Sequence, residues 1–202
     1  QAAAAGDGRG AGERQRRCAV FHAAAMVSFD PRDTDAMQRV NVGGTTNVVN
    51  AALAQGVRRL CHVSSTAAIG HAPAGVPRKE DMPWEMKDTS SAYAIGKYEA
   101  ELEVQRGIAE GLDAVIVNPC IILGPGLSGR SSMTLVERLR KGTRFYPPGS
   151  NAVVDARDVA ECMLELADRG VSGERYLLVG ENLPYRALFD QLSRAFERPI
   201  PT

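Results

Sequence analysis

The run Asp113-Ala-Val-Ile-Val-Asn118 sets four apolar residues side by side with no polar residue between them. Successive side chains of a strand point to opposite faces, so such a run is stable only where its sheet is covered on both sides. Cys18-Ala-Val-Phe-His22, Arg59-Leu-Cys-His-Val63 and Glu174-Arg-Tyr-Leu-Leu-Val179 are short runs of related character. Longer stretches with helical start and stop signals separate them. Asp30 or Asp33 caps a helix reaching about Gln55, Pro31 fits its first turn, and Gly56 ends it. Further helices are expected over about 92–110, stopped by Gly111, and near 131–140, 157–169 and 186–197. A loop rich in Pro and Gly fills about 70–90. Strands alternating with helices predict the α/β class, with a doubly wound parallel sheet.

Composition bounds the function. With 202 residues, 44% of them apolar, the chain suits one domain with a small lobe. Lys plus Arg balances Asp plus Glu at 24 each, and no basic stripe argues for nucleic acid. No apolar run approaches a membrane span and no signal-peptide layout is visible. Cys18, Cys61, Cys120 and Cys162 are widely spaced without a Cys-x-x-Cys, which reads as buried thiols in a reducing cytoplasm rather than a metal site. His22 and His62 lie in strand-like runs and read as satisfied core histidines. Residues 1–17, rich in Ala, Gly and Arg, read as a poorly ordered leader.

Ligands of an open α/β sheet bind beyond the carboxyl ends of the strands. Polar or small residues gather at those ends: Ala23-Ala24-Ala25, Ser64-Ser65-Thr66 and Asn118-Pro119. Tyr93 and Lys97 open the helix that begins between the last two. Four residues are about one helical turn, so phenol and ammonium share a face. A cation beside a phenol favours phenolate and is expected to lower the Tyr93 pKa, making it a proton donor or acceptor. The plain alternative is an exposed helical pair.

Taken in order, Val20-Phe-His-Ala-Ala-Ala25, Asn41-Val-Gly-Gly-Thr45, Val63-Ser-Ser-Thr66 and Tyr93-Ala-Ile-Gly-Lys97 resemble the extended short-chain dehydrogenase/reductase family, also called the NAD-dependent epimerase/dehydratase family. Asn118-Pro119, Gly124-Pro125-Gly126 and Val154-Asp-Ala-Arg-Asp-Val159 continue the resemblance, which covers about residues 18–197. Its flavour is that of the dihydroflavonol reductase-like and 3β-hydroxysteroid dehydrogenase-like members. It implies a Rossmann-like domain over 18–202, with a partial substrate lobe from about 120–150 and 174–202. It further implies an NAD(P)-dependent oxidoreductase acting on a carbonyl or secondary alcohol. Tyr93 would be the general acid/base. Lys97 would hold the nicotinamide ribose. Ser65, with Thr66 as the alternative register, would bind the substrate oxygen. Ala23, Ala24, Ala25, Asn41, Ser64, Pro119 and Ile122 would contact NAD or NADP, and Asn118 the substrate. The helices near 33–55 and 91–110 would pair in a homodimer. The alternatives are a sugar-nucleotide epimerase or dehydratase and a catalytically silent binding or dimerisation module.

Several residues have ordinary structural readings beside these. Ala23–Ala25 also suit a tight packing site, Asn41 a solvated helix position, and Ser64–Thr66 plain turn chemistry. Asp155 and Asp158 suit the cap of the next helix. Gly43-Gly44 in mid-helix suggests close helix packing, since each glycine costs roughly 1 kcal/mol against alanine there. Met26, Phe29, Trp84, Met133, Phe145 and Tyr146 are candidates for an apolar substrate pocket.

Gly124-Pro-Gly-Leu-Ser-Gly129 has the spacing of a dinucleotide-binding turn but follows several strands, so it is read as a substrate-side loop. The family's glycine loop is expected before residue 18 and is not found there. The resemblance therefore suggests a chain lacking its N-terminal βαβ glycine-loop unit and part of its C-terminal segment. Such a chain is expected to bind NAD(P) weakly and to aggregate through an uncovered sheet flank.

Overall fold

The computed structural model describes residues 18–28, 30–73, 75–87, 90–126 and 133–202. The 1–17 leader, Phe29 and the Leu127–Gly129 end of the glycine-spaced turn lie outside them. The apolar runs form a parallel sheet from β1 (Ala19–His22), β2 (Arg59–Val63), β3 (Ala114–Pro119) and β6 (Arg175–Leu178), in the order β1-β2-β3-β6. Its register aligns His22 with His62, His62 with Ile116, and Ile116 with Arg175. All six residues of β3 are buried, as an unbroken apolar run requires.

Pleating sends neighbours to opposite layers. Leu60 and Ile116 join Val49, Val104 and Leu112 on one face. Cys61, Val115 and Val117 join Val154, Val159 and Leu178 on the other. The first layer is covered by α2 (Gly44–Gln55) and α3 (Ala92–Ala109), the second by α5 (Ala156–Arg169). Gly107 lets α2 and α3 approach closely: a Cβ there would stand 2.5 Å from Val49 Cγ1.

The long segment before β2 is not one regular helix. Asp30 caps a single 3-10 turn, Pro31–Asp33, its carboxylate accepting from the Arg32 amide at 3.0 Å. α1 (Thr34–Met37) passes into a π-helical stretch, Gln38–Gly43, and then into α2. Gly56 closes it in the left-handed region at φ 59°. Gly43 and Gly44 do not mark close packing, because a Cβ at either would meet nothing within 4 Å. They stand where the wide π turn gives way to α2.

Three short strands form a second sheet: β4 (Ile121–Leu123), β5 (Ser150–Asp155) and β7 (Glu181–Pro184). β4 pairs parallel with β5, and β7 antiparallel with β5. With α4 (Met133–Lys141) and α6 (Tyr185–Ala195) it makes a lobe around Leu139, Leu183, Leu188 and Phe189. The expected lobe is thus redrawn, since β6 belongs to the main sheet and β5 extends to Asp155. Asp155 caps α5, accepting from the Arg157 amide at 2.8 Å. Gly124 packs against that junction: its Cβ would lie 2.7 Å from Ala156 Cβ. It follows β4 of the small sheet rather than a main-sheet strand. No described helix is long and apolar enough to cross a membrane.

Candidate active site

The carboxyl ends of β2 and β3 face the start of α3 across a cavity of about 440 Å³. Ser91 fixes that helix start by accepting from the Ala94 amide at 3.1 Å. Tyr93 therefore sits in the first turn and Lys97 one turn below. Ser64, Ser65, Thr66 and Tyr93 line one side of the cavity; Pro119 and Ile122 belong to its apolar wall. Ser65 is held by local turn chemistry, its Oγ accepting from the Ala67 amide at 3.2 Å. Its hydroxyl also lies beside the Tyr93 phenol, where it favours the phenolate. Burial outweighs that influence and pushes the Tyr93 pKa up. The lowered value expected from the Tyr93/Lys97 spacing is therefore not what this geometry gives, because desolvation of the phenolate dominates.

Lys97 is 4% exposed and its Nζ donates to the Val63 carbonyl at 3.0 Å. Burial lowers its pKa to about 8, against the pull of Glu101 one turn further along α3. Glu101 is the residue that sequence reasoning missed. It is 3% exposed and accepts from Asn118 Nδ2 at 2.5 Å. Arg175, on β6, reaches it at 3.4 Å. Burial pushes the Glu101 pKa up, while Ser64, Asn118 and Arg175 favour its charge. The available signal was the spacing Tyr93-x-x-x-Lys97-x-x-x-Glu101, which puts all three on one helical face.

Asn118 works behind the cavity wall rather than on it. It is fully buried, and its amide donates to Glu101 and to the Ser65 carbonyl at 2.9 Å. A chain of contacts thus runs from Glu101 through Asn118 to the backbone of Ser65. Asn41 is likewise interior, not a solvated helix residue. Its side chain accepts from the Met26 amide at 2.7 Å and donates to the Met26 carbonyl at 2.9 Å, pinning the loop after β1. Ala23, Ala24 and Ala25 are exposed at the end of β1, so they are not a packing site.

The two strand histidines differ. Thr45 spends its hydroxyl hydrogen on the Asn41 carbonyl, so His22 Nε2 must donate to Thr45 Oγ1, at 3.1 Å. His62 is buried with neither ring nitrogen in a protein hydrogen bond, and is therefore not a satisfied core histidine. Burial, with Lys97 and His22 nearby, holds its pKa well below the usual value. Among the cysteines, Cys18 is exposed, whereas Cys61 is buried with its thiol pushed up to about 11.

Of the described candidates for an aromatic and Met lining, none lines the cavity. Trp84 stacks on Tyr98 at 4.3 Å and donates to the Ala67 carbonyl. Tyr146 packs on Phe189, and Phe145 is 72% exposed. The apolar wall comes instead from Val27, Cys120, Ile121 and Leu135, with Pro119 and Ile122. Thr134, Arg138 and Asn151 give the lobe side its polar groups.

A parallel sheet covered by helices on both faces, with a cavity at its strand ends, defines a Rossmann-like α/β fold, and comparison with known families agrees. The chain belongs to the NAD dependent epimerase/dehydratase family, whose model matches residues 9–179. It is 34% identical over 190 residues to sterol demethylase protein B of Methylococcus capsulatus, covering 90% of this chain and 56% of that protein. It is 33% identical over 188 residues to a putative dihydroflavonol 4-reductase of Synechocystis, covering 90% of this chain and 55% of that protein. The crystal structure of gox2253 superposes with a TM-score of 0.83 at 33% identity, over 92% of this chain and 57% of that one. The chain spans just over half the length of the curated relatives it matches.

Proposed function

We propose that this chain carries the proton-transfer and substrate-facing part of an NAD(P)-dependent oxidoreductase acting on a carbonyl or secondary alcohol. The observation that carries the reading is the meeting of Ser65 and Tyr93 on one cavity wall, with the buried Lys97 one turn beneath. Ser65 donates to the substrate oxygen, and Tyr93 gives that oxygen its proton in reduction or removes it in oxidation. Lys97 spends one of its three N–H bonds on Val63 and keeps two for the ribose hydroxyls. NAD or NADP, when bound, supplies or accepts the hydride.

The residues fit such a cofactor, with Ala23–Ala25 on the adenosine side and Pro119 on the nicotinamide side. Ala23, Ala24 and Ala25 offer a shelf of small exposed side chains, and Ser64 lines the cavity. Pro119 and Ile122 supply an apolar surface in the cavity that Ser64 lines. Asn41 acts at one remove, through the Met26 backbone it holds.

Reduction or oxidation of a released substrate is preferred over epimerisation because the described cavity wall is largely aliphatic. The proposal includes a cytoplasmic homodimer through the helical segment ending in α2 and through α3. Val40 and Leu102 on these helices are 46% and 48% exposed, which supports a partner there; a monomer in sedimentation equilibrium removes that part. Turnover is tested with a carbonyl panel on the chain and on a fusion supplying the glycine-loop half of a reductase relative. Tyr93→Phe in the active form should lower kcat by about 10²–10⁴-fold while sparing ligand binding. Substantial residual turnover would take Tyr93 out of the role.

A further inference from the structure

Among the described residues lining the cavity, Arg138 supplies the one formal charge; none of the others is Asp, Glu, Lys or His. Its place is fixed by the fold. Leu139, the next residue, is fully buried among Leu183, Leu188 and Phe189, which locks the rotation of α4. Thr134 and Arg138 are one turn apart, so their hydroxyl and guanidinium project from the same face. Leu135 lines the cavity beside them. Among the described residues Arg138 has no carboxylate within ion-pair distance and no hydrogen-bonded acceptor. Asn151, across from it, is committed: its amide donates to Tyr185 Oη at 3.0 Å and its oxygen accepts from the Ala152 amide at 2.8 Å.

We infer that Arg138, with Thr134, receives an anionic group on the substrate, so that the preferred substrate is an apolar carbonyl or alcohol carrying a carboxylate. This rests on the site reading above. Arg138 is exposed at the cavity, and a guanidinium without an acid partner offers a planar fork of donors that matches a carboxylate. The reacting oxygen sits at Ser65 and Tyr93, and the carboxylate at the lobe. The anion is assigned to the substrate rather than to a cofactor phosphate because Arg138 stands on the small-sheet lobe, whereas Ala23–Ala25 stand at the end of β1 in the main sheet.

The test is calorimetric titration of the chain with benzoylpropionate, its methyl ester and nicotinamide mononucleotide, repeated on Arg138→Gln, Arg138→Lys and Thr134→Val. Circular dichroism checks that each variant is folded. The keto acid should bind the parent chain about tenfold tighter than the ester. Arg138→Gln should remove that preference, Arg138→Lys retain part of it, and Thr134→Val reduce it. Equal binding of acid and ester, or a preference that survives Arg138→Gln, overturns the inference and leaves the site reading intact. Binding of neither overturns both. A loss in Arg138→Gln confined to nicotinamide mononucleotide assigns the guanidinium to the cofactor and also overturns it.

Discussion

The two sheets treat their residues differently. In the main sheet, β3 is wholly buried and its flank carries an interior polar group of Lys97, Glu101 and Asn118. In the small sheet, all three residues of β4 are half-exposed and one residue of β5 is buried. Yet both sheets supply walls of the same cavity. On the proposed reading, the well-packed sheet positions the groups that move protons, while the lightly packed sheet offers those that select the substrate. Burial is what sets the pKa values of the first set; exposure leaves the second free to meet a ligand.

The largest test of this contrast is a matched truncation. Ile116→Ala, in the main core, should cost about 2–5 kcal/mol of unfolding free energy in urea titration. Ile122→Ala, on β4, should cost about 1 kcal/mol or less and act chiefly on KM, because its side chain is only partly packed. Equal losses would erase the distinction between the sheets.

A second test uses pH. Lys97 has its folded pKa lowered to about 8 from an ordinary 10.5. While protonated it costs stability, fully so below about 8, and the cost is relieved as pH rises towards 10.5. Its contribution to unfolding free energy should therefore rise with pH across that window, and Lys97→Met should flatten the rise. If charged Lys97 serves turnover, kcat/KM should fall as pH increases through about 8. Glu101→Gln should move that limb to lower pH, since the carboxylate raises the Lys97 value. A limb that stays in place would show Glu101 to be merely structural. The smallest expected shift comes from Thr134→Val, an exposed residue whose loss should change stability by under about 0.5 kcal/mol.

The main sheet was legible because its strands announce themselves. Four adjacent apolar residues in 114–117, glycine stops at Gly56 and Gly111, and caps at Asp30 and Asp155 all agree with one fold. Three strands of the second sheet were not. β5 opens Ser-Asn-Ala, β7 reads Glu-Asn-Leu-Pro, and β4 has three residues, so none carries a period long enough to identify. Ser65, Tyr93 and Lys97 were legible from spacing and resemblance. Glu101 and Arg138 were not, because an acidic or basic residue on a helix ordinarily faces water, and only the tertiary fold buries one and aims the other at a cavity. The sign of the Tyr93 shift failed for the same reason: a sequence records neighbours, not desolvation.

The π-helical stretch Gln38–Gly43 has a consequence of its own. Such a turn holds one residue more than the α-helix would use over the same rise. The segment is therefore tolerant of length change in one direction: losing a single residue would let it close as continuous α-helix with α2 still seated on the sheet. What it would forfeit is the angular setting of Asn41, turned by roughly 100° away from Met26. Met26, in the loop after β1, would then lose both of its hydrogen bonds to Asn41 while the hydrophobic layers stayed whole. The surplus residue acts as a phase adjuster, keeping one amide in step with a strand end that the regular helix would miss.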